Sequence, residues 1–441
     1  MTGRAARRAL ALLAFLAGWL VLTAAPASAH VEIISSTPGD GTRLTAAPSQ
    51  VSVTLSENVG IQPGSLKVVD TRGAAVDTGP VFQPGDVAEQ VAVRLRPGLP
   101  DGSYLVEYAF VSADSHPVRG TFAFVVGTGP LITSAGAVAA ATGTDPTVDV
   151  VATIVRWLSF AGVVLLGGLV FLLTCRPGGR TDPRARRLLV TGAWLTAATA
   201  IATFLLQGPY AAGRGLGALL DPGLLADTFR VSYGKLLLVR LAAAGVLALL
   251  LRRLLAPPAS GRLENAAMIT GFVVLLSFSA TGHPVTDPVM YFSVAADLAH
   301  WGAITVWAGG LVQLALVLHR PPPAEDLDPV VTRFSGLAMT CVTTIAISGG
   351  VLALRIMPSV TSLWTTTYGW LLLGKITGLV ILLPVANAAR KAVLSGVGGP
   401  GRRAVATANL TRLRLAVTTE VILAAVVLAL AAVLTATPPG G

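Results

Sequence analysis

Three residues from two distant parts of the chain have side chains suited to a single metal ion. His30 directly follows a small-residue cleavage signal, Ala27-Ser28-Ala29, so signal removal makes it the mature N-terminal residue. An N-terminal histidine offers an α-amine and an imidazole, and Asp114 and His116 add a carboxylate and a second imidazole. Cu(II) favours a tetragonal plane of nitrogen and oxygen donors. The set predicts a Cu(II) site formed by His30, Asp114 and His116.

The spacing of the second pair fits a shared site. Asp114 and His116 are two residues apart, which puts both side chains on one face of an extended segment and Ser115 on the other. Because metal ligands must be deprotonated, we expect binding to weaken as the pH falls. The alternative is a surface Asp-x-His pair and a histidine that stands at the signal boundary by chance.

Three further ionisable residues lie in the apolar part of the chain. His283 follows one apolar segment, and Asp297 and His300 lie three residues apart in the next, hence on one helical face. His300 is predicted roughly 13 Å into that segment, where ionisable groups are costly and commonly functional. One hypothesis is an entrance relay for a metal ion formed by His283, Asp297 and His300. The other is a structural pair in which Asp297 holds a neutral His300.

Composition indicates an exported membrane protein. The 441 residues are 53% hydrophobic and 12% charged, with a net charge of +10, and the arginines lie between apolar runs rather than in a nucleic-acid-binding patch. Residues 1–29, with basic residues before an apolar stretch, are typical of a secretory signal. The two cysteines, Cys175 and Cys341, fall in or beside apolar segments, which excludes a disulfide framework in the exported domain.

The first part of the mature chain, residues 30–127, has the pattern of a β-sandwich. Short alternating stretches separated by Gly and Pro turns predict about seven strands. We therefore expect an all-β Greek-key sandwich of immunoglobulin-like type with antiparallel strands. Five of the predicted strands are 51–55, 65–69, 90–95, 104–108 and 121–125.

Residues 128–149 form a predicted linker rich in Gly, Ala and Thr, and residues 150–441 a predicted all-α polytopic membrane bundle. Its eight expected transmembrane helices are 150–174, 188–207, 233–251, 266–282, 291–318, 334–354, 369–389 and 415–436. With the sandwich outside, the basic loops face the cytoplasm, as the positive-inside rule requires. The chain is thus predicted to be a multi-pass plasma-membrane protein with an extracytoplasmic N-terminal domain.

The bundle has signs of an internal duplication. Matching positions in the two halves are Arg156-Trp157 with His300-Trp301, Gly167-Gly168 with Gly309-Gly310, Tyr233-Gly234 with Tyr368-Gly369, Arg240 with Lys375, and Glu264 with Glu420. These matches predict two parallel repeats of four helices, a pattern found among transporters. The alternative is chance similarity between apolar sequences. Arg240, Lys375 and Glu420 are interpreted as packing or topology charges.

Both parts resemble a known family. Residues 30–127 resemble CopC, a copper-binding β-sandwich, through His30, Ser36-x-Pro38-x-Asp40-Gly41, Ala47-Pro48, Leu55-Ser56-Glu57-Asn58-Val59 and Ser112-Ala113-Asp114-x-His116-Pro117 with Gly120. Residues 150–436 resemble CopD, its membrane partner, through Tyr233-Gly234-Lys235, Gly282-His283, Asp297-x-x-His300 and Trp307-x-Gly309-Gly310. The resemblance implies that His30, Asp114 and His116 are Cu(II) ligands. No methionine lies between His30 and Gly127, so the Met-rich Cu(I) site of some relatives is not expected.

These observations predict a copper protein that is not an enzyme. We expect the sandwich to capture Cu(II) outside the membrane and the bundle to conduct copper, in copper homeostasis or resistance, with passage as Cu(I) a second hypothesis. The expected partners are copper ions and the lipid bilayer. Three alternatives stay open: a copper sensor or sequestration module with a membrane anchor, a haem-binding electron-transfer bundle using His283 and His300, and a copper oxygenase. Asp114 argues against the oxygenase because it fills the in-plane position that oxygen needs.

Overall fold

The chain forms a β-domain followed by a helical domain. The computed structural model describes residues 33–55, 59–60, 65–87, 89–112, 117–131, 145–255, 261–281, 289–319, 327–357, 359–394, 402–435 and 437.

The β-domain contains two sheets. Its strands are β1 (Ile33–Thr37), β2 (Arg43–Leu44), β3 (Gln50–Leu55), β4 (Val59–Gly60), β5 (Leu66–Asp70), β6 (Asp77–Phe82), β7 (Gln90–Leu95), β8 (Gly102–Ser112) and β9 (Pro117–Val126). One sheet has the order β1-β3-β7-β6, and the other has the order β2-β9-β8-β4 with β5 also paired to β8. The sandwich prediction is confirmed, with nine described strands rather than about seven because β2 and β4 are only two residues long.

Apolar side chains from both sheets fill the space between them. Val53 of β3 and Val91 of β7 are register partners in one sheet, and both are fully buried. Phe110 and Phe124 contribute from the other sheet, so the core matches the alternation seen in the sequence. One pairing departs from the antiparallel prediction: β2 runs parallel to β9, because residues 38–42 turn the chain across from the first sheet to the edge of the second.

The helical domain contains long helices joined by short connections. They are α1 (Pro146–Thr174), α2 (Pro183–Ala212), α3 (Pro222–Arg230), α4 (Ser232–Leu254), α5 (Gly261–Ser279), α6 (Met290–His319), α7 (Asp328–Ile356), α8 (Ser362–Thr365), α9 (Thr367–Leu394) and α10 (Arg402–Leu434). Among the described residues, seven helices are long and apolar enough to cross a membrane, and α9 contributes a shorter apolar part, Thr367–Ile381. The eighth span and the two four-helix repeats therefore stay predictions.

The centre of the bundle is a close crossing of α1 and α6, with α10 packed against both. A Cβ atom at Gly167 would overlap the Thr305 carbonyl oxygen, and one at Gly309 would overlap the Val164 carbonyl oxygen. Only glycine leaves room for backbones this close, as in other membrane helix crossings. The two Gly-Gly pairs noted in the sequence thus hold the first and fifth predicted spans together.

The structure also explains why a glycine follows the tyrosine in each of the two Tyr-Gly pairs. Each begins a long helix directly after a short helix that was not predicted, α3 before α4 and α8 before α9. A Cβ atom at Gly234 would overlap the Thr228 carbonyl oxygen, and one at Gly369 would overlap the Ser362 carbonyl oxygen. Glycine is required at both positions because the short helix folds back onto the start of the long one.

Asp182 links the start of α2 to the end of α1. Its carboxylate accepts a hydrogen bond from the Arg184 backbone N–H (3.0 Å) and pairs with the buried Arg176 guanidinium at 3.1 Å. Burial alone would raise the pKa of Asp182, but these bonds lower it below its ordinary value of 3.8. The charged form is therefore favoured in the folded protein.

Replacing Asp182 with alanine is expected to lower the free energy of unfolding by about 1–2 kcal/mol, because the helix cap and a partner of Arg176 are lost together. Since the folded-state pKa is lowered, this contribution is complete above about pH 4 and disappears as the pH falls through the folded-state pKa. Thermal unfolding of the detergent-solubilised protein at pH 7 would measure the effect. Asp182→Asn, which retains the cap but not the charge, should fall between the two, and equal stability of all three proteins would contradict the prediction.

Candidate functional site

The segments that carry the three predicted copper ligands leave the sandwich at one end. Ile33 pairs with Leu55, and Val59 pairs with Ser112, the last residue of β8. Leu55 and Val59 are separated by at most about 14 Å of extended chain. The start of β1, which follows residue 30, is therefore at the same end as the β8–β9 connection, residues 113–116. His30, Asp114 and His116 themselves lie outside the described residues.

His300 is buried in the helical domain and held by α7. Its side chain is 7% exposed, and Nδ1 lies 3.0 Å from the Ser348 hydroxyl oxygen. The backbone at Gly349 closely approaches the imidazole ring, because a Cβ atom there would lie 3.0 Å from Cε1 of His300. The imidazole is therefore fixed in position by neighbouring residues of α7.

The hydrogen bonds of Ser348 define which nitrogen of His300 carries the proton. The hydroxyl donates its hydrogen to the Thr344 carbonyl oxygen (2.5 Å), so toward His300 it can only accept. The Ile345 carbonyl, a pure acceptor, also faces the ring. Nδ1 is thus the protonated nitrogen, and Nε2 retains its lone pair. In this tautomer Nε2 is the ring nitrogen whose lone pair can accept a hydrogen bond or bind a metal ion.

Asp297 lies one helical turn before His300 on α6 and is half-buried. The fully buried Ser279 hydroxyl lies beside its carboxylate but makes no hydrogen bond of standard geometry among the described residues. Lys375, on α9, lies within longer range of both groups, and no ion pair joins it to Asp297. The structure therefore puts Ser279 beside Asp297 and leaves Lys375 in the same region of the bundle.

His300, Lys375 and Ser348 each lie well inside their helices. His300 lies about 15 Å from the start of α6, and Lys375 lies about 12 Å from the start of α9. Ser348 is about 12 Å from the end of α7. His283, the third residue of the predicted relay, lies outside the described residues, two positions beyond Thr281. Within the described part of the chain, no three His, Cys, Asp or Glu side chains form a cluster able to hold a metal ion.

The structural-pair hypothesis for Asp297 and His300 is modified by this geometry. Ser348, not Asp297, orients the imidazole. Ser348 was not predicted from the sequence, and Lys375 was interpreted as a packing or topology charge. Residue spacing cannot predict a contact between His300 and a hydroxyl on a different helix. A lysine eight residues inside an apolar helix, in contrast, is costly there and indicates a functional candidate.

Arg240, which the sequence aligned with Lys375, has a different environment. Its guanidinium donates to the Ser277 hydroxyl at 3.0 Å and to the Ser277 carbonyl at 2.7 Å, and it lies 3.5 Å from the centre of the Phe278 ring. Phe278 contacts Trp301, the neighbour of His300, at 5.8 Å between ring centres. Arg240 therefore packs α4 onto α5, as the packing interpretation predicted.

The remaining candidate residues do not join this cluster. Glu420 is buried in α10 at 4% exposure, whereas Glu264 pairs with Arg180 at 2.5 Å near the starts of α5 and α2. Cys175 and Cys341 are buried free thiols, and Met339 is 54% exposed while Cys341 is 5% exposed. Met339 and Cys341 thus lie on different faces of α7.

Comparison with known families divides the chain at the same places as the fold. Residues 33–127 match the CopC domain, residues 147–288 match the N-terminal domain of copper resistance protein D-like proteins, and residues 328–434 match copper resistance protein D. The matches cover the sandwich, α1 to α5 and α7 to α10, whereas α6 lies between the two matched parts of the bundle.

Individual relatives agree with these matches. The chain is 29% identical over 385 residues to the copper transport protein CutJ of Bacillus subtilis (strain 168), which covers 84% of this chain and 69% of CutJ. It is 36% identical to copper resistance protein C of Pseudomonas syringae pv. tomato over 25% of this chain and 90% of the relative. Copper resistance protein D of the same organism is 35% identical over 27% of this chain and 42% of the relative. The chain therefore belongs to the copper transport and resistance family, as a CopC domain fused to a CopD membrane domain.

Proposed function

We propose that this protein captures Cu(II) outside the plasma membrane with its sandwich and conducts copper across the membrane through its bundle. The observation that carries the proposal is the buried His300, which is held by Ser348 through Nδ1 and lies one helical turn from Asp297 on the same apolar helix. The similarity to copper transport and resistance proteins supports copper as the transported ion. In this proposal the protein is a transporter and not an enzyme, with residues 1–29 as a signal peptide, 30–127 as the capture domain, 128–149 as a linker and 150–441 as the conducting domain.

In the capture domain, His30, Asp114 and His116 are proposed to bind Cu(II). The amine, two imidazoles and a carboxylate match the donor types and the square-planar geometry that Cu(II) prefers. Support comes from the pairing of Ile33 with Leu55 and of Val59 with Ser112, which brings the neighbouring segments to one end of the sandwich. Copper is the cargo, so the ligands must release it as well as bind it.

In the bundle, His283, Asp297 and His300 are proposed as the relay that accepts copper from the capture domain. His300 offers Nε2 and Asp297 offers carboxylate oxygens, donors that suit Cu(II). A second hypothesis is passage as Cu(I), which imidazole also binds. His283 follows α5, whose last residue, Ser279, lies beside Asp297. This continuity of chain supports a path from His283 to His300.

The orientation of the bundle in the membrane is proposed from the positions of its arginines. Arg180 pairs with Glu264 at 2.5 Å, and Arg414 donates to the Leu318 carbonyl at 2.6 Å. These contacts place basic residues at the end of the bundle where α1 and α6 finish, away from His300. Excess arginine marks the cytoplasmic side. His300 is therefore proposed to lie nearer the extracytoplasmic surface, where the capture domain delivers copper.

Cellular copper accumulation tests the proposal. In a deletion strain grown across a copper series, we expect the wild-type gene to change cytoplasmic copper and both His30→Ala and His300→Ala to abolish that change, because capture and conduction act in series. Protein amounts in the membrane would be matched by immunoblot. If His30→Ala alone alters copper tolerance while accumulation stays constant, the protein is a sensor or sequestration module with a membrane anchor. A Soret band in the purified protein would instead support the haem alternative.

A further inference from the structure

Arg240 caps the end of a neighbouring membrane helix. The last four carbonyl groups of an α-helix have no partner within the helix, and in α5 they belong to residues 276–279. The Phe278 carbonyl accepts a hydrogen bond from the Thr281 hydroxyl at 2.6 Å. The Ser277 carbonyl accepts one from the Arg240 guanidinium at 2.7 Å. A side chain of α4 thus completes the end of α5.

The end of α5 also accommodates the charge of Arg240 inside the bundle. Arg240 is 5% exposed, and its partner Ser277 is 2% exposed. The C-terminal end of a helix carries a partial negative charge that stabilises a nearby cation. The Ser277 hydroxyl donates to the Val274 carbonyl at 2.6 Å, so it accepts from the guanidinium at 3.0 Å. Because the donors of a guanidinium are fixed in one plane, these two bonds fix Arg240 and the end of α5 relative to each other.

The same guanidinium lies over an aromatic cluster that reaches α6. Its carbon atom Cζ is 3.5 Å from the centre of the Phe278 ring. The Phe278 ring centre is 5.8 Å from that of Trp301 on α6. Phe160 on α1 lies 4.5 Å from Trp301 and 6.2 Å from Phe278, again between ring centres. These separations are those of direct aromatic contact, so a continuous row of contacts joins Arg240 to Trp301.

Trp301 directly follows His300, and the two side chains contact different helices. Consecutive residues of an α-helix are about 100° apart around its axis. Trp301 contacts α1 and α5, whereas His300 contacts Ser348 of α7 at 3.0 Å. Helix α6 is therefore held on two sides at this level. A change on the aromatic side turns or shifts α6, and the imidazole moves with it.

We propose that Arg240 is a positioning residue for His300: by holding the end of α5 and the Phe278 ring, it sets the position of Trp301 and hence of the imidazole. The inference rests on the proposed function, since it assigns a role at the same site. Packed interiors contain few voids and transmit displacements, so a change at Arg240 reaches α6. Residues that orient a metal ligand typically change metal affinity about 10–100-fold when they are replaced.

The test is copper uptake by the full-length protein in proteoliposomes, measured as initial rate against CuCl2 concentration. Arg240→Met removes the guanidinium and keeps a long apolar side chain. We expect the half-saturating copper concentration to rise about tenfold, as when the support of a metal ligand is lost. The maximal rate per folded protein should change less, because His300 itself is retained. Arg240→Lys keeps the charge and a donor for the Ser277 carbonyl, so its half-saturating concentration should lie between those of Arg240→Met and the wild type.

Phe278→Leu tests the next contact in the row while Arg240 is retained. It should also raise the half-saturating copper concentration. If Arg240 acts through the ring, the double variant Arg240→Met/Phe278→Leu should raise it no more than the larger of the two single effects. Effects that multiply would overturn the route through Phe278. Should Arg240→Met fail to fold, Phe278→Leu decides alone, and a wild-type half-saturating concentration in that variant would overturn the proposal.

The matched control is Arg414→Met, which removes a similar contact far from His300. Arg414 donates to the Leu318 carbonyl at the end of α6 at 2.6 Å, and Leu318 lies about 27 Å along the helix from His300. We expect lower thermal stability in detergent and an unchanged half-saturating copper concentration. An equal rise in Arg414→Met and Arg240→Met would overturn the positioning role, because loss of any helix cap would then have the same effect.

His300→Ala separates this inference from the proposed function. If His300→Ala keeps wild-type uptake, the proposed relay is wrong, and the role of Arg240 falls with it. If His300→Ala loses uptake while Arg240→Met and Phe278→Leu keep wild-type kinetics, the relay stands and only the positioning role of Arg240 is refuted.

Discussion

Replacing His116 with alanine is expected to weaken Cu(II) binding by the purified full-length protein by more than about 100-fold. Groups that merely support a metal ligand already cost 10–100-fold when removed, so loss of one of the proposed in-plane donors should cost more. The remaining amine, imidazole and carboxylate would leave one position of the plane to water. Titration of Cu(II) against a chelator of known affinity would measure the change.

Ser115→Ala is the matched control for this prediction. In an extended segment its side chain points away from Asp114 and His116, so its removal should leave copper affinity within about threefold of the wild type. His30→Ala should weaken binding at least as much as His116→Ala, although its α-amine is retained. If Ser115→Ala and His116→Ala bind Cu(II) equally well, the ligand assignment is wrong.

Replacing Gly309 with alanine is expected to destabilise the bundle by about 1–3 kcal/mol or more, the cost of forcing extra atoms into a packed interior. A methyl group there would overlap the backbone of α1 at Val164 and Gly168. Neither contact can be relieved by rotating a side chain, so α1 and α6 must separate. Because α10 packs on both helices, the disturbance should spread through the centre of the domain. Thermal unfolding in detergent would measure the loss.

Gly302→Ala provides the control on the same helix. No atom lies within 4 Å of a Cβ built at Gly302, so the substitution should be neutral or stabilise the helix by up to about 1 kcal/mol, the difference in helix propensity. Equal unfolding temperatures for Gly302→Ala and Gly309→Ala would mean that the two helices do not cross at the Gly-Gly pairs.

The elements of the fold were largely predictable because their signals are local. Alternating apolar residues predicted the five strands that form the core of the sandwich, and apolar runs located the helices. The ends were less well predicted. Helix α2 begins at Pro183, five residues before the predicted apolar run, because Asp182 caps it and proline suits the first helical turn. The short helices α3 and α8 were missed because nine or four residues carry too little periodicity to identify a helix.

The sequence by itself determined the types of donor available for copper, the division into a sandwich and a membrane bundle, and the shared helical face of Asp297 and His300. These properties depend on residue identity and on spacing within one element. Only the tertiary structure decided that Ser348 orients His300 and that Arg240 is locked onto Ser277. These contacts join residues that are 48 and 37 positions apart on different helices. Which faces of those helices meet is set by how the whole bundle packs, with glycines fixing the crossing of α1 and α6.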